Sequence, residues 1–177
     1  HHLHSLGTHK QVVNRILEPF MHISVVVTSS NFDNFYWLRC HKDAQPEIKV
    51  LADAMWAAQQ ASTPNLLLAG QWHLPYVTED DYMALRTMDD NVLREAGISY
   101  ADPEMGEIEA MRRISVARCA RVSYLTHDGK KPSIENDFAL YDRLVGSTPL
   151  HASPTEHQAS PDTQVWSNHD TPMWENP

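Results

Sequence analysis

His22-Ile23-Ser24-Val25-Val26-Val27-Thr28 is the stretch on which the fold turns. Ile23, Val25, Val26, Val27 and Thr28 are β-branched, and such side chains pack well on a pleated surface. The run therefore predicts a strand. With helical patterns on both sides of it, the chain reads as mixed helix and strand.

Upstream, Thr8-His9-Lys10-Gln11 has the form of a capping box. Val12, Val13, Ile16 and Leu17 then follow at helical spacing, and Pro19 ends the helix by disfavouring the α region at Glu18. Downstream, Ser29-Ser30 offers an N-cap. Asn31 to His41 follows as a short helix with Phe35 and Leu38 on its inner side. Asp43 is the expected N-cap of the next helix, and Pro46 fits its first turn. Ile48, Leu51, Ala52 and Met55 mark its apolar face, which ends near Ser62-Thr63-Pro64.

From Thr78 to about residue 110 the composition becomes acidic and poor in large aliphatics. This stretch reads as a solvated excursion, partly helical from Asp89 to Ala96 with Gly97 as the stop. Met111 to Leu125 returns to core character, starting as helix and becoming extended over Arg121-Val122-Ser123-Tyr124. Ser133 caps an amphipathic helix carrying Ile134, Phe138, Tyr141 and Val145, with Gly146 as its C′ residue.

A chain of 177 residues fits a single domain. The formal charge of −9 argues against nucleic acid and anionic membrane as partners, so an anionic ligand must be held by local arginines. No apolar run approaches a membrane span and no signal peptide is visible, which points to a cytoplasmic protein. Cys40 and Cys119 read as reduced, buried thiols. The chain begins at His1 without methionine and closes on a polar run ending at Pro177, as expected of a piece of a longer protein.

Several residues carry a chemical reading beside a structural one. Arg15 holds a phosphate, or sits at a helix C-terminus where the macrodipole favours a cation. Arg39 follows Phe35-Tyr36-Trp37-Leu38, so its stem covers apolar surface or its head serves a partly buried anion. Asn34 is mid-helix, on a solvated face or at a ligand. His151, Glu156 and His157 include metal-ligand types, but their spacing matches no zinc signature and Pro154 breaks a single-helix site. No metal is expected.

Three segments together resemble the flavin-dependent thymidylate synthases. The first is Asn14-Arg15-Ile16-Leu17-Glu18-Pro19. The second is Asn34-Phe35-Tyr36-Trp37-Leu38-Arg39 followed by Ala44-Gln45-Pro46-Glu47-Ile48. The third joins Ala120-Arg121-Val122-Ser123-Tyr124 to His151-Ala152-Ser153-Pro154-Thr155-Glu156-His157. The family's Arg-His-Arg hallmark is absent and the segment order is permuted, so the hallmark is expected upstream of His1.

The resemblance implies FAD-dependent reductive methylation of dUMP to dTMP. NADPH is the implied reductant and methylenetetrahydrofolate the one-carbon donor. It implies a homotetramer with active sites between subunits, on an α+β fold, a mixed sheet flanked by helices. Arg39 matches an arginine at the uracil ring that stabilises negative charge there, and Arg15 a dUMP-binding arginine. Asn34, Ser153, His151, Glu156, Thr28 and Ser30 fall at flavin-contacting places. No cysteine is required as a nucleophile. Two other readings stay open: a non-catalytic nucleotide-binding or assembly remnant of that fold, and a metal-dependent hydrolase using His151, Glu156 and His157.

Overall fold

The computed structural model describes residues 5–15, 20, 22–99, 101–122 and 133–161. The expected helix end at Ile16 to Pro19, the extended reading of Ser123 and Tyr124, and the closing polar run lie outside the described residues. The helices among the described residues are α1 Lys10–Arg15, α2 Asp33–Arg39, α3 Pro46–Ala61, α4 Glu79–Arg86, α5 Asp90–Glu95, α6 Pro103–Arg121 and α7 Ile134–Val145. A 3-10 turn follows at Ser153–Glu156.

The α+β expectation is overturned. Among the described residues no strand or sheet forms, and β pairing is limited to an isolated antiparallel bridge between His73 and Ala159. Residues 22–28 take no regular secondary structure. β-branched composition reports how well side chains fit a pleated, half-buried surface, and does not supply the ladder partner that makes a strand. Here Ile23, Val25 and Val27 are exposed, while Val26 is half-buried.

The main core lies where the sequence reading placed a solvated excursion. Leu85 of α4, Leu93 of α5 and Ile98 join Ala110, Met111 and Ile114 of α6 and Ile134 and Phe138 of α7 in one buried cluster. Full burial of side chains this size stabilises by about 1.5–3 kcal/mol each. The acidic residues that hid this core serve as helix starts. Asp81 completes a capping box with Thr78. Asp89 accepts from the Asn91 amide, and Asp102 accepts from those of Glu104 and Met105 ahead of Pro103.

Gly97 does end α5, as expected. Its φ is +69°, and the amides of Gly97 and Ile98 bond back to Arg94 and Leu93, which is a Schellman motif. Gly146 also follows its helix, for a different reason. Its φ is −82°, and a Cβ there would lie 2.6 Å from the Asp142 carbonyl oxygen. Close approach, rather than left-handed backbone, requires glycine at 146.

α2 and α3 form a hairpin centred on Tyr36, which is 7 % exposed. Its ring meets Trp56 edge-on at 4.9 Å and touches Phe32 and Phe35. Leu38, read as inward, is 43 % exposed. The caps also differ from expectation. Phe32 and Gln45 occupy the N-cap positions of α2 and α3, without side-chain cap bonds, so neither Ser29-Ser30 nor Asp43 caps. Ser29 instead donates to the Asn31 carbonyl at 2.8 Å, tightening the turn into α2. No described helix is long and apolar enough to cross a membrane.

Candidate functional site

α6 is the beam on which the site is built. Its 19 residues bury Ser115, Val116, Ala117, Arg118 and Cys119 near the C-terminal end. Arg118 is the unusual member, since arginine is rarely buried unless paired. Its Nη1 and Nη2 donate to the two oxygens of Asp81 at 2.6 and 2.8 Å, and its Nε donates to Asp137 Oδ2 at 3.0 Å. Nη1 also reaches the Tyr76 carbonyl oxygen at 2.7 Å. Arg121, one turn on, pairs with Asp137 Oδ1 and donates to the Asn136 carbonyl at 2.8 Å. These contacts tie α4, α6, α7 and the 76–78 loop into one buried network.

The two carboxylates respond differently to burial. For Asp81, burial opposes the charged form, but the Arg118 and Thr78 hydrogen bonds prevail and hold the carboxyl well below its usual range. For Asp137, which is fully buried, desolvation prevails over Arg118 and Arg121 and pushes the carboxyl up.

Beside the end of α6 lies a cleft of about 560 Å³. Val25 and Val26 form one wall, Cys119, Ala120 and Val122 the floor, and Leu144 with residues 150–154 and His157 the far side. The far side is shaped locally. The His151 amide bonds to the Leu144 carbonyl at 3.1 Å, and Thr155 closes the 3-10 turn on Ala152 through its amide and its hydroxyl. Gln158 fastens the turn to the beam. In the orientation that respects the single proton on Ser115, Ser115 donates to the Pro75 carbonyl at 2.8 Å and accepts from Gln158 Nε2 at 3.0 Å. The opposite amide orientation lets Nε2 donate to the Pro154 and Thr155 carbonyls, and it holds the same turn.

A long-range contact closes one rim. Thr28 Oγ1 lies 2.9 Å from His157 Nδ1, joining positions 129 residues apart. Of the residues implicated by sequence, His151 and Ser153 line this cleft and Thr28 sits beside it. Glu156 is exposed on the same turn. Ser30 lines a second, shallower cleft with Asn31, Phe32, Tyr36, Met55 and Gln59.

Asn34, Arg39 and Arg15 do not join the first cleft; all three are exposed, Arg15 on α1 and Asn34 and Arg39 on α2. Neither Arg15 nor Arg39 has an ion-pair partner among the described residues. Arg121, in the Ala-Arg-x-Ser segment, is occupied by α7 and acts as a clamp.

Burial pushes the Cys119 thiol up, which leaves it protonated near neutral pH and a poor nucleophile. Both cysteines are free, but Cys40 is only half-buried, short of the burial expected for it. Among the described residues no three His, Cys, Asp or Glu side chains are grouped to hold a metal ion. His151, Glu156 and His157 therefore give the hydrolase reading no metal centre.

Sequence reading missed the valine wall, Leu144, Leu150 and the Arg118 network. Thr78-x-x-Asp81 before a helix was an available capping signal, and Asp137 beside Phe138 on an amphipathic helix was an available burial signal. No local signal connects Thr28 with His157. No family model matches the chain, and no curated protein or solved structure matches it either.

Proposed function

We propose that this chain supplies part of the flavin- and dUMP-binding surface of a flavin-dependent thymidylate synthase. The observation that carries this reading is convergence. His151 and Ser153 of one implicated segment, and Thr28 from far upstream, meet at or beside one cleft floored by the Ala120 segment. The cleft volume of about 560 Å³ falls in the range that holds small-molecule ligands. Aliphatic walls with a hydroxyl and imidazoles at the edge suit a flat heteroaromatic ring with polar rim atoms. The residues present therefore fit a flavin ring.

When bound, FAD supplies the hydride chemistry, with NADPH as reductant and methylenetetrahydrofolate as the carbon donor. The chain's own part is to bind, orient and exclude water. Val25, Val26, Leu144 and Leu150 would hold the ring by apolar contact, and Ser153 and His151 would offer it hydrogen bonds. Arg15 and Arg39, which have no ion-pair partner among the described residues, are suited to the phosphate and ring of dUMP. Because they stand outside the cleft, they serve a site completed by another copy of the chain, in keeping with a homotetramer with sites between subunits. A preorganised arginine stabilises negative charge developing on the pyrimidine. The reaction belongs to cytoplasmic nucleotide biosynthesis.

Titration of the chain with FAD, followed by visible absorbance, tests the binding half. A yellow complex that survives gel filtration is expected, and an absence of binding contradicts the reading. FAD binding without turnover of dUMP favours the alternative, a non-catalytic remnant. In the assembly that turns over dUMP, Arg39→Ala is expected to lower turnover at least ~10²-fold, as loss of an oxyanion donor does. Near wild-type turnover removes Arg39 from that role.

A further inference from the structure

The Thr28–His157 contact has no structural necessity in the helix core, yet it spans the chain and sits at the rim of the cleft. His157 is half-buried and lines the cleft with His151 and Ser153. Its Nδ1 is taken by Thr28 Oγ1 at 2.9 Å, and its Nε2 has no hydrogen-bond partner among the described residues. Neutral imidazole carries one proton on two nitrogens, so whatever Nδ1 does fixes the chemistry of Nε2. If Thr28 donates, Nε2 carries the proton and donates onward. If Nδ1 donates to Thr28, Nε2 accepts.

We propose that Thr28 is a positioning residue whose hydroxyl donates to His157 Nδ1, fixing the ring's orientation and its Nε2–H tautomer, so that Nε2–H donates to the polar edge of a heteroaromatic ligand in the cleft. This rests on the reading that a flavin-like ring enters there. It assigns His157 a ligand contact and moves Thr28 from direct contact to support. The same hydrogen bond holds the Val25–Val26 wall across the cleft from His157.

The test uses the full chain, wild type and three variants: Thr28→Val, Thr28→Ser and His157→Phe. Long-range proton–nitrogen NMR of the imidazole rings reads the tautomer of His157 without any ligand. The wild type and Thr28→Ser are expected to show one dominant tautomer, and Thr28→Val a mixture, with unchanged far-UV dichroism in all. With FAD as the probe, Thr28→Val and His157→Phe are expected to weaken binding about 10-fold, the equivalent of one hydrogen bond, and Thr28→Ser to restore it.

A His157 tautomer unchanged by Thr28→Val overturns the positioning role, whether or not FAD binds. A Thr28→Val chain that binds FAD as the wild type does overturns the ligand contact. A wild-type chain that fails to bind FAD while its His157 tautomer still depends on Thr28 condemns the flavin reading and leaves the positioning role standing.

Discussion

The α2–α3 hairpin and the α4–α7 bundle invert what their sequences advertise. The hairpin holds the aromatic run Phe35-Tyr36-Trp37, yet buries little beyond Tyr36 and Ala52. Trp37 is 75 % exposed and Val50 is 70 % exposed. The bundle contains the acidic stretch, yet holds the main buried cluster and four buried polar or charged side chains. Hydrophobic content alone does not locate a core. What locates it is whether apolar positions from several elements converge, and whether the charged residues between them have partners.

The largest effects should appear where the bundle's charges are unpaired. Arg118→Ala leaves Asp81 and Asp137 without their shared cation, and breaking a buried pair typically costs about 3–5 kcal/mol. Urea denaturation should register a loss of that order; a change below about 1 kcal/mol, the scale of surface pairs, means the network is not buried in solution. Leu85→Ala should follow, at about 2–5 kcal/mol for a buried leucine truncation. If it behaves as a surface change, the acidic stretch is a connector after all.

pH offers a sharper cut through the same network. Asp81 has a depressed carboxyl, so its contribution is present above the ordinary carboxylate range and is lost as pH falls through and below it. Asp137 has the opposite sign: its raised carboxyl favours folding in the protonated form, so that contribution fades as pH rises through its titration. Asp81→Asn should therefore flatten the loss of melting temperature below about pH 4. Wild-type and Asp81→Asn curves that fall in parallel contradict the assignment. The smallest effect belongs to the hairpin. Trp37→Ala should stay within about 0.5 kcal/mol in the dissociated chain, because its ring is largely in solvent. A larger loss at high protein concentration alone marks Trp37 as covered in the assembly.

Local signals were legible and long-range ones were not. The start of α7 at Ser133, Pro46 in the first turn of α3, and the Gly97 stop all follow from chemistry within one turn. The strand reading of His22 to Thr28 failed because strand formation depends on a partner the sequence does not name. Thr78 to Glu109 was misread because capping aspartates resemble solvated charge when counted as composition. The His151 and Ser153 half of the site was visible as a motif, but its valine wall depends on a contact across 129 residues.

Hydrogen exchange of the full chain, with and without FAD, joins the two claims most directly. Without FAD, amides of residues 85–98 and 110–119 should exchange slowest, well behind residues 63–70. With FAD, protection should rise over residues 23–28 and 150–158. Fast exchange across 85–98, or FAD protection absent from both cleft segments, contradicts the account.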